Sequence, residues 1–531
     1  MNNENTFFEI TLLNQQSNKI VRVNKDETLL SALRRHHYFI PALCNGKGTC
    51  GSCQVIIHQG DAPIASKDKE YFTNEALDEG RRLACTFMPQ SNCSVEIVNI
   101  EKPKMHILAP SATVKEMVAN AKESVAIAVD IGTTTIVMAL VDLESQQTIT
   151  TFSAVNPQRA FGADVISRIE AANAGHLTTL TTLLLDTLAQ GLSQLTENYR
   201  ILPQQMTIAA NTTIVHLLMG YSCQDLGRYP FTGVHLEAIT TSARALFAVV
   251  FGSATFASSF TALDLAASAW DFPVTIFPAI SAFVGGDITA GLYALDFHNT
   301  QEISLLVDLG TNGELALGNR EQILVASTAV GPAFEGANIT YGCTSVPGAI
   351  WNCNIVNRKP YLQTIDQQKA IGICGSGVIA VTSELIKQQI IDSSGLLAEE
   401  YFTTGFPLES PIMLAQQDIR AIQMAKAAIR AGINSLLAQY GITEDAVKQV
   451  YLAGGFGHAL DVNKAIHIGL LPAVWRERVK MVGNTSLLGA SKSLSDADYQ
   501  QAFAEIISSA KEIKLANNEE FNQSYIKEMS F

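Results

Sequence analysis

The sequence has no hydrophobic run long enough to cross a membrane. Its most apolar stretch, residues 243–257, is shorter than the roughly 20 residues that a transmembrane helix needs, and it contains Ser253 and Thr255. The first residues, MNNENTFFEITL, show no basic region followed by an apolar core, so we expect no signal peptide. We therefore expect a cytoplasmic protein with no membrane partner.

Basic side chains are also scarce. The chain contains 36 Lys and Arg against 50 Asp and Glu, which gives a formal net charge of −14 at pH 7. Proteins that bind nucleic acids use clustered Lys and Arg to contact phosphates, so the composition argues against a nucleic-acid partner. Hydrophobic residues make up 47% of the 531 residues, enough for the cores of roughly two to four domains.

A C-x2-C-x2-C run is missing too, although the chain contains nine cysteines. In a cytoplasmic protein, cysteines indicate metal or redox sites before disulfides. Three of them follow the spacing C-x5-C-x2-C and a fourth lies further along, in RRLACT: Cys44, Cys50, Cys53 and Cys85. Gly46, Gly48 and Gly51 interleave the first group and would let the loop wrap closely around a cluster. The alternative is structural zinc, but zinc sites usually pair two C-x2-C motifs, and only one is present here.

This cysteine pattern resembles the adrenodoxin-like branch of the [2Fe–2S] ferredoxins, which has one residue more than the plant spacing C-x4-C-x2-C. The flanking sequence fits, since Thr6–Leu13 and Lys19–Val23 predict a hairpin and Glu27–His37 predicts a short helix. The resemblance implies a β-grasp ferredoxin domain at residues 1–100 with the four cysteines above as ligands. The other cysteines have no metal spacing, and we expect buried free thiols, with the first facing the core of the last strand: Cys93, Cys223, Cys343, Cys353 and Cys374.

Two similar hairpins follow, the first within VAIAVDIGTTTIVMALVDL, residues 125–143. An apolar strand ends at Asp130, a polar turn begins at Gly132, and a β-branched strand returns. The turn can hold a phosphate on its N–H groups while Asp130 binds hydrated Mg²⁺, although an ordinary buried hairpin is the alternative. LLVDLGTNGELAL, residues 305–317, repeats the pattern and places Asp308 in the position of Asp130. Further on, VYLAGGFGHALD, residues 450–461, predicts a strand that runs into a glycine-rich turn.

The order of these three motifs resembles the superfamily of acetate and sugar kinases, heat-shock chaperone ATPases and actin, over roughly residues 124–500. The resemblance implies an α/β fold of duplicated ribonuclease-H-like halves that clamp Mg-ATP. It implies a first half at 124–295 and a second half at 296–531 that ends in a C-terminal tail. Pro103 and Pro110 oppose regular structure before these halves, so residues 101–123 are predicted to be a linker. Besides the two aspartates, the resemblance implies phosphate contacts from Gly132, Thr133, Thr134, Gly310, Thr311 and Asn312, and adenosine contacts from Gly454, Gly455 and Gly457.

Two further polar residues lie near predicted turns. Asp287 follows two glycines at a helix start, where it could orient a water in the cleft or simply cap the helix. We count it with the catalytic candidates Asp308 and Asp130. His216, in IAANTTIVHLLMG, fits a structural histidine at the edge of the core better than a ligand.

A ferredoxin joined to such an ATPase resembles the reductive activators of corrinoid proteins, which return Co(II) corrinoid to Co(I). The resemblance covers nearly the whole chain and implies a [2Fe–2S] cluster, ATP and Mg²⁺ as cofactors. It implies a corrinoid-binding protein of a methyltransferase system as partner and an electron donor such as a ferredoxin or flavoprotein, and it leaves a homodimer open. One departure from the family pattern is visible: the interval before the first phosphate hairpin is short and leaves little room for an extra middle domain, which bears on the oligomer geometry more than on the activity.

Three other functions remain as alternatives. An activator of a radical acyl-CoA dehydratase would share the ATPase but carry a [4Fe–4S] cluster across a dimer, which the four-cysteine ferredoxin pattern opposes. A small-molecule kinase with a redox-sensing domain would phosphorylate a sugar or an acid, and an actin-like filament would have no use for a ferredoxin. Activators with C-terminal ferredoxin-like cysteine runs are excluded by the missing C-x2-C-x2-C motif.

Overall fold

The computed structural model describes most of the chain: residues 7–13, 18–36, 38–42, 44, 46–48, 50–98, 124–197, 201–250, 271–336, 338–454, 460–516 and 518–531. The predicted linker at 101–123 lies outside the described residues, as do Gly455 and Gly457.

The N-terminal domain is a five-stranded sheet with one helix packed against it. The strand order is β2-β1-β5-β3-β4, in which β1 pairs antiparallel with β2 and parallel with β5, the arrangement of a β-grasp fold. Its helix begins one residue after Thr28, whose hydroxyl accepts a hydrogen bond from Ser31 N, so it is shorter than predicted. The elements are β1 (Phe7–Leu13), β2 (Lys19–Asn24), α1 (Leu29–Arg35), β3 (Gln54–Gln59), α2 (Asp68–Tyr71), α3 (Asn74–Asp78), β4 (Arg81–Leu83) and β5 (Cys93–Ile97).

The next sheet has six strands in the order β10-β11-β9-β6-β7-β8. Its central strand β6 is buried along almost its whole length, pairs antiparallel with β7 and runs parallel to β9. Its apolar run is therefore covered by helices on both faces. The elements are β6 (Val125–Ile131), β7 (Thr135–Asp142), β8 (Thr148–Val155), α4 (Val165–Ala171), α5 (Leu177–Glu197), β9 (Met206–Ala210), α6 (Thr212–Met219), β10 (Ile239–Ser242), α7 (Ala243–Leu246), β11 (Pro273–Ile276) and α8 (Gly286–Ala294).

The second six-stranded sheet, in the order β21-β20-β12-β13-β14-β22, repeats this pattern. Its central strand β12 pairs antiparallel with β13 and parallel with β20, as β6 does with β7 and β9. The predicted duplication is therefore present as two equivalent hairpins. The elements are β12 (Ser304–Leu309), β13 (Gly313–Gly318), β14 (Ile323–Thr328), α9 (Gly375–Lys387), α10 (Glu399–Phe402), α11 (Gln416–Tyr440), β20 (Gln449–Gly454), α12 (Val462–His467), β21 (Val479–Gly483), α13 (Thr485–Ser493), α14 (Tyr499–Ser509), β22 (Ala510–Glu512) and α15 (Glu519–Lys527).

Smaller elements complete the second half and the connections. A three-stranded sheet has the order β16-β15-β17 and a two-stranded sheet pairs β18 with β19. These strands are β15 (Ala349–Val356), β16 (Lys359–Thr364), β17 (Gly372–Ile373), β18 (Phe406–Glu409) and β19 (Ile412–Leu414). Short 3-10 helices span Pro157–Ala160, Asp225–Gly227, Pro332–Glu335, Ile365–Gln367, Glu444–Ala446 and Ala473–Trp475, and a π-helical turn spans Ala172–His176.

The two halves meet through the helix pair α8 and α13. Gly489 on α13 lies so close to α8 that a Cβ at this position would be 2.1 Å from the Ala290 carbonyl oxygen. A buried apolar cluster surrounds this crossing and takes residues from both sheets, including Ala128, Leu306 and Phe503. The crossing brings the tips of the two hairpins to the same cleft.

Candidate functional site: a nucleotide cleft and a thiol loop

The tips of the two hairpins face each other across the cleft. In each tip a glycine N–H closes the turn: Gly132 N donates to Thr135 O at 2.9 Å and Gly310 N donates to Asn312 O at 3.0 Å. The hydroxyl oxygens of Thr134 and Thr311 are 3.1 Å apart. The polar residues predicted to contact phosphate in the two hairpins are thus brought together.

Glu335 joins the two tips. One carboxylate oxygen accepts hydrogen bonds from the Thr134 hydroxyl at 3.0 Å and the Thr311 hydroxyl at 3.2 Å. Burial raises the pKa of Glu335, and these two hydrogen bonds oppose the rise. The Glu335 carboxylate therefore accepts hydrogen bonds from the two threonine hydroxyls that could otherwise donate to a phosphate.

The tips enclose a cavity of about 280 Å³. It contains most of the predicted phosphate-side residues and several that the sequence reasoning missed. Its lining is Asp130, Gly132, Thr133, Thr134, Thr135, Val137, Asn211, Asp287, Asp308, Gly310, Thr311, Asn312, Glu314, Glu335, Gly454, Asn484 and Ser486.

Carboxyl groups dominate the charge of this cavity. Burial, together with the neighbouring carboxylates of Asp287, Asp130 and Glu335, raises the pKa of Asp308 to about 7. Burial likewise raises the pKa of Asp130 to about 7, although a hydrogen bond from Asn484 opposes the rise. Clustered carboxylates whose charged forms are unfavourable are what a divalent cation would neutralise, so this site fits hydrated Mg²⁺.

Asp287 lines the cleft from the first turn of its helix. The N-cap position of α8 belongs to Gly285, so Asp287 is not the N-cap residue. Its carboxylate accepts a hydrogen bond from Ile288 N at 2.9 Å, a backbone N–H of the first turn, and burial raises its pKa to about 6. Because the side chain also borders the cavity, the water-orienting role stays a prediction.

Glu314 and Asn484 are among the cleft residues that were missed as site residues. Glu314 lies directly opposite Asp308 in the β12–β13 register, where the first hairpin has Val137 opposite Asp130. Burial raises its pKa well above the ordinary value, and the carboxylates of Asp287 and Asp308 add to the effect. The sequence feature that could have identified Glu314 as a site residue is a glutamate within an otherwise buried strand.

Asn484 belongs to the segment GNTSLLGA, to which the sequence reasoning gave no role. Its Oδ1 caps α13 by accepting from Leu487 N at 2.8 Å, and its Nδ2 donates to Asp130 Oδ2 at 2.7 Å. An asparagine before a helix start could have been read as a cap. Its contact with Asp130 could not be predicted in this way, because only the folded chain brings these two residues together.

Gly454 is the described member of the predicted adenosine turn. Its φ is +114°, and a Cβ there would lie 2.3 Å from the Leu309 carbonyl oxygen. Only glycine fits this close approach of β20 to the end of β12, and the position also borders the cavity.

A second cavity, of about 540 Å³, lies between the two halves beside the first one. It shares Asn211 and Asn312 with the nucleotide cleft, and much of its wall is apolar or aromatic. Its apolar wall includes Val165, Ile166, Ile169, Tyr229, Phe231, Phe283, Leu515, Phe521 and Tyr525.

The four predicted cluster ligands form two close pairs in the N-terminal domain. The Sγ atoms of Cys44 and Cys50 are 3.3 Å apart, and the thiols of Cys53 and Cys85 hydrogen-bond each other. The charge of each pair influences the other, so all four thiols share one electrostatic neighbourhood. In the described part of the chain, however, no group of three or more His, Cys, Asp or Glu residues has the geometry of a metal site.

The loop that carries these thiols is shaped for close wrapping. Gly51 adopts a φ of +67°, and a Cβ there would lie 2.5 Å from the Tyr71 ring. Cys53 and Cys85 are 2% and 8% exposed, so the loop shields two thiols while Cys44 and Cys50 stay partly open. This donor set fits an iron–sulfur cluster with one accessible edge.

The remaining sequence candidates are structural. Cys93, Cys223, Cys353 and Cys374 are buried free thiols, and Cys343 is partly buried. His216 is buried, with Nδ1 bonded to Thr212 O at 2.8 Å and Nε2 accepting from Val234 N at 2.9 Å. The preference for a structural histidine agrees with these contacts.

Known protein families match most of the chain. Residues 13–90 match the 2Fe-2S iron-sulfur cluster binding domain, residues 125–256 match the RACo middle region, and residues 302–531 match the C-terminal domain of RACo, the ASKHA domain. The corrinoid activation enzyme RamQ of Eubacterium limosum is 31% identical over 81% of this chain and 74% of its own length. The chain belongs to the family of corrinoid activation enzymes.

Two further relatives agree with this family. The [Co(II) methylated amine-specific corrinoid protein] reductase of Methanosarcina barkeri is 30% identical over 48% of this chain and 51% of its own length. A solved structure of a reductive activator for corrinoid,iron-sulfur protein superposes with a TM-score of 0.67 at 26% identity, covering 99% of this chain and 98% of that one.

Membership in the corrinoid activation family confirms the predicted fold class, a ferredoxin domain joined to an ASKHA ATPase that binds ATP. It also corrects one expectation. The family's middle region begins at residue 125 and includes the first phosphate hairpin, so the short interval before that hairpin is no departure from the family. Among the described residues, no helix combines the length and apolar character needed to span a bilayer.

Proposed function

We propose that this protein is an ATP-dependent reductive activator that returns an inactive Co(II) corrinoid protein to Co(I) by one-electron transfer. The proposal rests on one observation: a ferredoxin domain with four neighbouring thiols and a two-hairpin nucleotide cleft occur in one chain of the corrinoid activation family. The acceptor is a corrinoid protein of a methyltransferase system, and the donor is a reduced ferredoxin or flavoprotein.

The redox centre of this proposal is a [2Fe–2S] cluster held by Cys44, Cys50, Cys53 and Cys85. Such a cluster supplies one electron at a reduction potential of about −400 mV. The hydrogen bond from the Cys85 thiol lowers the pKa of Cys53, which favours the thiolate form that binds iron. The N-terminal domain of the proposal spans residues 1–100, and the linker spans 101–123.

The nucleotide cleft supplies the other part of the proposal, with its halves at residues 124–295 and 296–531. Asp130 and Asp308, which line the cleft from the two hairpins, would hold hydrated Mg²⁺, and Asp287 would orient the attacking water. The hairpin tips would contact the phosphates through Gly132, Thr133, Thr134, Gly310, Thr311 and Asn312. Gly454, Gly455 and Gly457 would contact the adenosine.

ATP is needed because Co(II) corrinoids accept an electron only at very low potential. Each ~59 mV of unfavourable potential costs about 1.4 kcal/mol for a one-electron step. In our proposal, a nucleotide-dependent change of the ATPase alters the ligation of Co(II) and makes it easier to reduce.

The test is an anaerobic mixture of the full-length protein, a Co(II) corrinoid protein, a reductant and Mg-ATP, followed by visible absorption. We expect the Co(I) spectrum to form only when all four components are present. Formation of Co(I) at the same rate without ATP would contradict the proposal. Phosphorylation of a sugar or an acid, with no effect on corrinoid proteins, would replace it with the kinase alternative.

A further inference from the structure

Among the described residues, the N-terminal domain contacts the first ATPase half through residues 156–171, which we call the bridging segment, and a small cavity beside them also takes Thr187 and Gln190 of α5. Arg34 on α1 donates a hydrogen bond from Nη2 to Ala160 O at 2.5 Å, and its guanidinium lies 4.5 Å from the centre of the Phe161 ring. Lys47, in the thiol loop between Cys44 and Cys50, pairs with Glu170 on α4 at 2.5 Å. The loop that carries the thiols is thus tied to α4.

The same bridging segment holds the first phosphate hairpin. Asn156 donates from Nδ2 to Gly132 O at 2.8 Å and from its backbone N to Thr134 O at 2.8 Å. Arg168 donates from Nη2 to Thr133 O at 2.5 Å. Three successive carbonyls of the hairpin tip are therefore fixed by the segment that the N-terminal domain contacts.

Internal hydrogen bonds hold the bridging segment together. Arg168 is fully buried and also donates to Gly162 O at 3.1 Å and to the side chain of Gln158 at 3.4 Å. The carboxylate of Asp164 caps α4 by accepting from Ser167 N at 2.7 Å. A displacement of the hairpin tip would therefore reach the face that carries Ala160 and Glu170.

The charge of Arg168 indicates how a bound nucleotide would act on the bridging segment. Arg168 donates its hydrogen bonds to uncharged carbonyl oxygens of Thr133, Gly162 and Gln158. Burial and the nearby charge of Arg159 lower its pKa to about 9, and the carboxylate of Asp164 opposes this decrease. A triphosphate at the hairpin tip would add a further negative charge that attracts this buried cation and holds it beside the hairpin. Bound nucleotide should therefore order the bridging segment.

We propose that residues 156–171 form a nucleotide-sensitive docking site for the ferredoxin domain, which holds that domain more firmly when a nucleoside triphosphate occupies the first phosphate hairpin. The inference deepens the proposed function, on which it rests for the nucleotide at this hairpin. Thermodynamic linkage requires the reverse effect as well, so a docked ferredoxin domain strengthens nucleotide binding by the same factor.

Zero-length carbodiimide cross-linking tests the docking directly, because it joins only amines and carboxylates in contact. The Lys47–Glu170 cross-link is quantified by mass spectrometry in the full-length protein, without nucleotide and with Mg²⁺ and a non-hydrolysable ATP analogue. We expect the analogue to raise its yield at least about twofold. Lys67 and Glu70, 2.9 Å apart within the ferredoxin domain, provide a control cross-link whose yield should stay constant.

Three variants separate docking from coupling. Arg168→Lys should keep the cross-link without nucleotide but lose the nucleotide response, because a lysine cannot reproduce the forked contacts to Thr133 and Gly162. Lys47→Glu combined with Glu170→Lys restores the ion pair with reversed polarity, so the cross-link and its response should both return. Lys47→Glu alone should lose both while its iron–sulfur EPR signal stays unchanged.

The inference is overturned if calorimetry shows nucleotide binding but the Lys47–Glu170 yield does not change, or if the control cross-link changes equally. It is also overturned if Arg168→Lys binds nucleotide and responds like the parent protein. None of these measurements involves a corrinoid. A nucleotide response without Co(I) formation would therefore contradict the proposed function alone, and Co(I) formation without a response would contradict the docking site alone.

Discussion

Asp130 and Asp308 hold equivalent positions in the two hairpins, where the surrounding protein makes their charged forms costly. Burial raises both pKa values from 3.8 to about 7. A carboxyl with a raised folded-state pKa binds its proton more tightly when folded, so these groups favour folding below pH 3.8, and this contribution is lost as the pH rises toward 7. The cleft without a cation is therefore a strained arrangement at neutral pH.

This strain predicts a pH dependence for nucleotide binding. Mg²⁺ binds carboxylates, so the aspartates must lose their protons when Mg-ATP binds near or below pH 7. We expect the affinity for Mg-ATP to fall as the pH is lowered from about 8 to about 6, with protons released on binding. Calorimetry in buffers of different ionisation enthalpy measures that release.

The matched variants are Asp130→Asn and Glu302→Gln. Asp130→Asn should weaken Mg-dependent binding and release fewer protons, whereas Glu302 is exposed and outside the cleft, so its variant should behave like the parent. Equal proton release from all three proteins would show that the cleft carboxylates do not titrate with nucleotide binding.

Asp308→Asn should separate stability from activity. It removes a carboxylate that lies among Asp287, Asp130 and Glu335, so we expect a higher thermal midpoint for the nucleotide-free protein, by about 2–4 °C for each kcal/mol of repulsion relieved. It also removes a ligand of the proposed Mg²⁺, so ATP hydrolysis should fall by about 100-fold or more. Calorimetric scans and phosphate release measure the two effects. A variant that loses stability while keeping its activity would contradict both assignments.

At the scale of elements, the crossing of α8 and α13 controls how the two halves approach each other. Gly489→Ala places a methyl group against the Ala290 carbonyl, which cannot move without shifting α8. We expect a loss of about 1–3 kcal/mol in the stability of the ATPase and weaker nucleotide binding, because Asn484 begins the same helix and holds Asp130.

The control for this crossing is Ser491→Ala, a small change on the same helix. Ser491 is partly exposed, so its variant should unfold near the parental temperature and bind nucleotide normally. Parental stability in Gly489→Ala would mean that the two helices are less tightly packed than the structure describes.

Comparing individual elements shows which parts of the fold and of the site could be predicted from the sequence. The hairpins were predictable because alternation of apolar strand, polar turn and apolar strand is local, and the copy at 305–317 repeats it. Glu335 and Asn484 were not predictable as site residues, because they reach Thr134 and Asp130 across separations of 201 and 354 residues. The cysteine ligands were easier, since their spacing and glycines fit a known loop even though Cys85 is distant in sequence.

At the scale of the whole molecule, the cluster and the cleft have separate surroundings. The N-terminal domain has its own buried cluster, which includes Ile10, Leu33 and Val95, and the nucleotide cleft lies between the two ATPase cores. Damage to one site should therefore leave the other folded, even though the bridging segment couples ferredoxin docking to nucleotide affinity. This independence makes it possible to ask whether the two sites must belong to the same chain.

Two full-length variants answer that question. Cys50→Ala should lose the iron–sulfur EPR signal yet hydrolyse ATP at the parent rate in the presence of a corrinoid protein. Asp308→Asn should keep the signal and lose hydrolysis. Neither should form Co(I) alone. Because the ferredoxin domain contacts its own ATPase through Arg34 and Lys47, we expect an equimolar mixture of the two to remain inactive. If the mixture forms Co(I), the ferredoxin domain of one chain serves the ATPase of another, and the contact at residues 156–171 is not obligatory for activation.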